Sequence, residues 1–194
     1  MQRKTLSTVD ITRIAILAAL AGILYMLDFP IFPAIPFYKL DFSNVAVMLG
    51  AFAMGPMQGV LILLIKDLTG LLHSTTGGIG EVADFIMSAA FVIPGALLYR
   101  RKKGRKAALI GMLVGIAAMI IAAVLSNYYI LIPAFASYDA VIGLGRKMFP
   151  SIENIWHFLF TVTSLFNLVK GAAICTLVYL LYKPLSPLLH TKKR

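Results

Sequence analysis

Charge and sulfur are scarce in this chain. Only 13% of its 194 residues are charged, and it has a single cysteine, Cys175, inside the last apolar run. A lone thiol leaves no disulfide framework and no thiolate metal site, so Cys175 is assigned to helix packing. His73, His157 and His190 lack metal-ligand spacing. No G-x-S-x-G, H-E-x-x-H or G-x-x-x-x-G-K-[ST] sequence occurs. The last of these absences means that the chain does not couple ATP hydrolysis by itself, so active transport would need a partner or an ion gradient. Gly78-Ile79-Gly80 followed by Ala83 is a weak echo of a dinucleotide loop, but it follows no strand and is discarded. Soluble domains, low-complexity tracts and internal repeats are missing too, so residues 1–194 read as one integral membrane domain.

What fills the chain is hydrocarbon. The sequence is 60% hydrophobic, with a mean hydropathy of +0.88, well outside the composition of soluble domains. A hydrocarbon core of about 30 Å at about 1.5 Å rise per residue predicts spans near 12–29, 43–54, 57–73, 81–99, 107–132 and 156–182. The fold class expected is an all-α membrane protein with six transmembrane helices. The first run is kept as a helix rather than a signal peptide, because Pro30, Pro33 and Pro36 follow it without a small-residue cleavage pattern.

A formal charge of +10 raises the question of nucleic acid, and the placement of the basic residues answers it. Arg3, Lys4 and Arg13 precede the first span. Arg100, Arg101, Lys102, Lys103, Arg105 and Lys106 crowd one short loop, and Lys183, Lys192, Lys193 and Arg194 follow the last span. Six spans put all three groups on one side, so the positive-inside rule makes that side, and both termini, cytoplasmic. The charge is a topology signal and a contact for anionic lipid or partners, not a nucleic-acid footprint.

Met54-Gly55-Pro56 is a tight cytoplasmic break, since Pro cannot continue a helix and Gly relaxes the backbone. On the external side, the Pro-rich aromatic stretch Pro30–Phe42 and the long segment Ala134–Ile155 are able to cover something. The third external stretch, His73–Glu81, carries glycines that let backbone approach a ligand closely. In the first span, Ala15, Ala18 and Ala19 belong to a set of small residues, with Ala15 and Ala19 one turn apart. Such residues permit close helix contact in lipid, within the bundle or with a partner subunit.

Ionisable groups at membrane depth are costly and usually face a cavity or a partner. Lys66, Asp67, Glu81, Asp84 and Lys170 are such groups, with Lys66 and Lys170 too deep to snorkel easily. Glu81 and Asp84 share a face at the start of the fourth span, either lining a site or answering the helix dipole. Asn167 and Lys170 have the same spacing. Asn127 either caps its helix or adds an amide to the same cavity, and Lys66 is equally suited to a structural pair with Asp84 or Glu81.

The segment Phe32–Ser43, Gly55-Pro56 with Gly59 and Lys66, Gly77-Gly78-Ile79-Gly80-Glu81 with Phe85, and Asn167 with Lys170 together resemble the substrate-binding S components of energy-coupling factor (ECF) vitamin transporters, in particular the riboflavin-specific type. The likeness spans nearly the whole chain, and its most specific parts are the Lys39–Ser43 and Gly80-Glu81 stretches. It implies a multi-pass protein of the cell membrane whose ligand pocket opens to the extracellular side beneath the loop between helices one and two. The implied partners are a transmembrane coupling subunit and two ATP-binding subunits. The implied cargo is riboflavin, with FMN as a further candidate, and no cofactor is implied.

By the same resemblance Asn127, Asn167 and Lys170 read the flavin ring edge, Leu40 contributes from the covering loop, and Gly80, Glu81, Asp84 and Lys66 line the polar remainder. Ala15, Ala18 and Ala19 meet the coupling subunit. Tyr38, Phe42, Phe85 and Tyr128 are candidates to pack on the ring. An S component for another vitamin such as folate is the nearest alternative. A membrane enzyme using Ser88, Ser126, Ser164 or His157, and a purely structural subunit whose deep charges pair only with each other, are the other two.

Overall fold

A computed structural model describes residues 7–189, except for the side chains at position 135 and from 183 onward. Arg3, Lys4, His190, Lys192, Lys193 and Arg194, and the side chain of Lys183, therefore lie outside the described residues.

The first helix, α1 (Thr8–Met26), starts at a capping box: Ser7 accepts from the backbone of Asp10, and the Asp10 carboxylate reaches back to Ser7. Its chain then runs through a two-stranded antiparallel hairpin, β1 (Phe29–Pro30) and β2 (Lys39–Leu40), in which Phe29 faces Leu40 and Pro30 faces Lys39. Helix α2 (Ser43–Met54) and helix α3 (Pro56–Gly70) follow, divided where the sequence predicts. Gly55 sits at φ 117°, a conformation open to glycine, and Pro56 occupies the first turn of α3, where its missing N–H costs nothing.

Helix α4 (Ile79–Arg101) and helix α5 (Arg105–Ser126) are joined by the basic turn. A π-helical segment, Asn127–Leu131, continues α5 into the short α6 (Ile132–Phe135). After α7 (Tyr138–Arg146), helix α8 (Ile155–Phe158) enters a second π-helical segment, Leu159–Thr163, and then α9 (Ser164–Leu189).

Among the described residues four helical stretches are long and apolar enough to cross a bilayer: Thr8–Met26, Ile79–Arg101, Arg105–Ala134 and Ile155–Tyr182. The other two expected spans are shorter. Helix α2 has 12 residues and α3 has 15, below the roughly 20 that a perpendicular span requires. The expected span 57–73 loses its last turn to a 3₁₀ segment, Leu71–His73.

Packing divides into two cores. The larger joins α1, α2, α3, α4, α5 and α9 through residues such as Ile14, Met48, Ile62, Phe91, Met112 and Ile174. Helices α4 and α5 touch along their backbones: a Cβ placed on Gly111 would lie 2.6 Å from the Gly95 carbonyl oxygen. The smaller core sits at the end of the bundle away from the Gly55 and Lys102–Gly104 turns. There Ile35 and Tyr38 of the hairpin loop are buried against Ile132, Val141, Ile152, Phe158 and Phe166. The hairpin and its loop are thus a packed cover rather than a loose connection.

Candidate functional site

Beneath this cover lies a cavity of about 330 Å³, within the size range of small-molecule sites. Its wall draws on the end of α1 (Tyr25, Met26), the cover (Phe37, Tyr38, Lys39, Asp41), the end of α3 (Gly70), the Gly-rich turn and start of α4 (Thr76, Gly80, Glu81, Asp84, Ser88), and the α5 and α9 region (Asn127, Leu131, Phe166, Asn167, Lys170). Six of the residues expected at a ligand site are brought together here: Gly80, Glu81, Asp84, Asn127, Asn167 and Lys170.

The first π-helical segment lines this cavity through Asn127 and Leu131, and the second reaches it through Tyr38; such insertions turn side chains out of normal helical register. Asn127 opens the first. Its Nδ2 donates to Ala123 O at 2.9 Å, and its Oδ1 accepts from Tyr38 Oη at 3.0 Å. The second ends at Thr163, whose hydroxyl lies 2.5 Å from the same Tyr38 Oη. The Tyr38 ring stacks on Phe166, with centroids 4.8 Å apart and planes 13° apart. Burial pushes the Tyr38 hydroxyl well above the usual tyrosine range, so it stays protonated and able to donate. Asn167, also on the wall, donates its amide to Thr163 O at 2.9 Å.

The Gly-rich turn is built around hydroxyls. Ser74 Oγ accepts from Gly78 N at 2.9 Å and donates to Glu81 Oε2 at 2.8 Å. Thr76 Oγ1 accepts from Gly80 N at 2.9 Å. The carboxylate of Glu81 is therefore fixed in the first turn of α4, where the helix dipole favours it, and at the cavity wall.

The charged residues form one network. Lys170 Nζ lies 2.8 Å from Asp41 Oδ2 and 3.2 Å from Asp84 Oδ1. Lys66 Nζ lies 2.5 Å from Asp84 Oδ2 and 2.7 Å from Asp67 Oδ1, with the Tyr25 ring centroid 4.4 Å away. Ser88 hydroxyl donates to Asp84 Oδ2 at 3.2 Å and accepts from Asn44 Nδ2 at 2.8 Å. Asp41 also accepts from Ser43 N at 2.9 Å and from the Ser43 hydroxyl. Asp67 touches Lys66 as an ion pair, yet neither of its oxygens receives a well-aligned hydrogen bond.

Several expectations change. Lys66 is not on the cavity wall: it is 0% exposed, behind Asp84, because Asp67 and Asp84 together hold its ammonium. Leu40 is buried and also off the wall, since the β-hairpin turns it away while its neighbours Lys39 and Asp41 line the space. Of the four aromatic candidates only Tyr38 lines the cavity. Phe42 packs near Phe29, Phe85 against the larger core, and Tyr128 stacks on Trp156 and Tyr138. Ala18 faces the bundle at 2% exposure, because α1 packs that side on α2 and α3, whereas Ala15 and Ala19 are exposed on its outer face.

Sequence reasoning missed Asp41, Tyr25, Thr163 and Phe166. Asp41 alone carried a signal, as an acidic residue in the Lys39–Ser43 stretch beside the start of α2.

Residues 9–182 match the family profile described as the ECF transporter, substrate-specific component. The chain belongs to the ECF transporter S-component family. Such a protein is the substrate-specific part of a transporter and not an enzyme, so Ser88, Ser126, Ser164 and His157 carry no catalytic assignment. Among its relatives, "Riboflavin transporter RibU" of Staphylococcus aureus (strain TCH60) is 30% identical over 175 residues, covering 89% of this chain and 88% of that protein. "Riboflavin transporter FmnP" of Bacillus subtilis (strain 168) is 28% identical over 186 residues, covering 93% of each. A solved structure described as "Structure and mechanism of the S component of a bacterial ECF transporter" aligns with a TM-score of 0.72 and 27% identity over 94% of this chain and 98% of that one. The two π-helical segments and the hairpin cover thus belong to an S component fold, and the apolar helices place it in a membrane.

Proposed function

We propose that this S component captures riboflavin from outside the cell and delivers it inward together with a transmembrane coupling subunit and two ATP-binding subunits. The relatives' names support the ligand. The observation that carries it in this chain is the cavity itself, where a stacked Tyr38–Phe166 pair, two anchored amides and two lysines converge beneath the hairpin cover. A planar, uncharged molecule with many hydrogen-bonding groups suits such a wall better than a charge clamp does, because Lys170 and Lys39 are already paired with carboxylates.

In this reading Asn127, Asn167 and Lys170 meet the ring edge, and Gly80, Glu81 and Asp84 meet the polar remainder. Lys66 acts from behind Asp84, and Leu40 supports the cover from within the hairpin. The chain is one multi-pass domain of the cell membrane with six membrane-embedded helices, α2 and α3 among them as a short pair. Both termini and the Arg100–Lys106 turn are cytoplasmic, and the cavity opens outward. Ala15 and Ala19 offer the docking face for the coupling subunit. Riboflavin is cargo, not a cofactor, and FMN is a second ligand to be measured beside it.

Fluorescence titration of the purified protein tests the reading. The expected result is one-to-one quenching of riboflavin with a yellow flavin co-purifying. Absence of flavin affinity, with tight folate binding in its place, would overturn it.

A further inference from the structure

Lys66 and Asp67 are ionic residues that the cavity does not use. Both are buried, at 0% and 5% exposure, and neither lines the wall. They nevertheless begin an unbranched series of alternating sign: Asp67, Lys66, Asp84, Lys170 and Asp41, with successive contacts of 2.7, 2.5, 3.2 and 2.8 Å. The series runs from α3 through α4 and α9 to Asp41, the residue immediately after β2 of the cover. Its two ends are unequal. Asp41 has Ser43 as a second partner, whereas among the described residues Asp67 has Lys66 as its one ionic partner and no hydrogen bond on either oxygen.

In such a series each ammonium is shared between two carboxylates, and Asp84 is shared between two ammoniums. Like charges that share one opposite partner compete for it, so a closer contact on one side comes at the expense of the other. Lys170 is the only described cation touching Asp41, and Asp41 ties the cover to α9. We propose that Lys66 and Asp67 are positioning residues that set how firmly Lys170 holds Asp41, and through it how long the cover retains the ligand. This rests on the binding reading above.

The alternation gives opposite signs to substitutions at two adjacent buried positions. In Asp67→Asn, Lys66 is left to Asp84, Asp84 draws less on Lys170, and Lys170 turns to Asp41: the cover tightens. In Lys66→Met, Asp84 loses its nearer cation and pulls Lys170 away from Asp41: the cover loosens. The double variant Lys66→Met/Asp67→Asn removes one charge of each sign, avoiding the orphaned carboxylate at position 67, and loosens the cover as Lys66→Met does.

Stopped-flow release of riboflavin from the full-length purified protein reads this directly. Lys66→Met and the double variant are expected to release about tenfold faster, and Asp67→Asn severalfold slower, with association rates changed less. A ligand-free readout accompanies it: Leu40→Cys in a Cys175→Ala background, whose thiol labelling rate should follow the same order. A merely structural role would lower thermal stability and move both single variants in the same direction. That result, or unchanged release and labelling in the folded double variant, overturns the proposal. If the unsubstituted protein binds no flavin, the functional reading fails instead, and the labelling order still decides this one.

Discussion

At the scale of single residues, Tyr38 joins the cover to both π-helical segments at once. Replacing it with Phe keeps the stack on Phe166 and removes the hydroxyl shared by Asn127 and Thr163. A buried acceptor left without its donor costs about 1–3 kcal/mol, so Tyr38→Phe should weaken riboflavin binding by roughly tenfold or more. Equilibrium fluorescence titration checks this, and an unchanged affinity would show that the bonds hold nothing the ligand needs. Asn167→Ala should lower affinity with little change in thermal stability, because its side-chain bond among the described residues is to the Thr163 carbonyl one turn earlier in the same continuous helical stretch. Lys170→Ala is a different case. It strips the partner from Asp41 and weakens Asp84, so lost binding should come with a lower melting temperature, the penalty for unpaired buried carboxylates. Comparing the two variants by thermal unfolding without ligand separates a ligand contact from a structural charge.

At the scale of elements, the hydrophobic runs located α1 to α5 and α9, since each follows from a stretch of apolar residues and a break such as Gly55-Pro56, whereas α7 lies in the stretch Ala134–Ile155 that reads only as a long external segment. The Gly-Glu turn and the pairing of Asn167 with Lys170 were legible for the same reason: polar residues at depth are costly enough to stand out. Asp41 was hidden because a carboxylate just before a helix looks like ordinary capping, and its partner Lys170 lies 129 positions away in sequence. The displacement of Lys66 behind the wall was likewise invisible, because depth along a helix says nothing of which side a cavity takes. The π-helical segments leave no periodic mark. The close approach of α4 and α5 did have one, Gly111 and Gly115 at four-residue spacing. Gly111→Val should force these backbones apart and destabilise the bundle by about 1–3 kcal/mol. Thermal unfolding in detergent measures it, and since α4 carries Glu81 and Asp84, flavin affinity should fall in parallel.

At the scale of the whole molecule, capture and delivery call for two surfaces, and α1 separates them. Its inner face, with Ala18 and Ala21, is closed against the bundle, while Ala15 and Ala19 look outward beside exposed Ile16 and Ile23. Small residues on an outward face let another helix approach closely in lipid, where packing rather than a hydrophobic drive holds helices together. Ala15→Trp and Ala19→Trp should therefore leave riboflavin affinity of the isolated chain intact while reducing co-purification with the coupling subunit and uptake by cells. Ala18→Trp should act by the other route, overpacking the interior by about 1–3 kcal/mol and lowering stability and binding of the isolated chain. Three substitutions within two turns of one helix thus give two phenotypes, read by flavin titration and by pull-down of the assembled transporter. If Ala15→Trp and Ala19→Trp assemble and transport normally, the partner meets another face of the molecule, and the small residues of α1 serve the bundle alone.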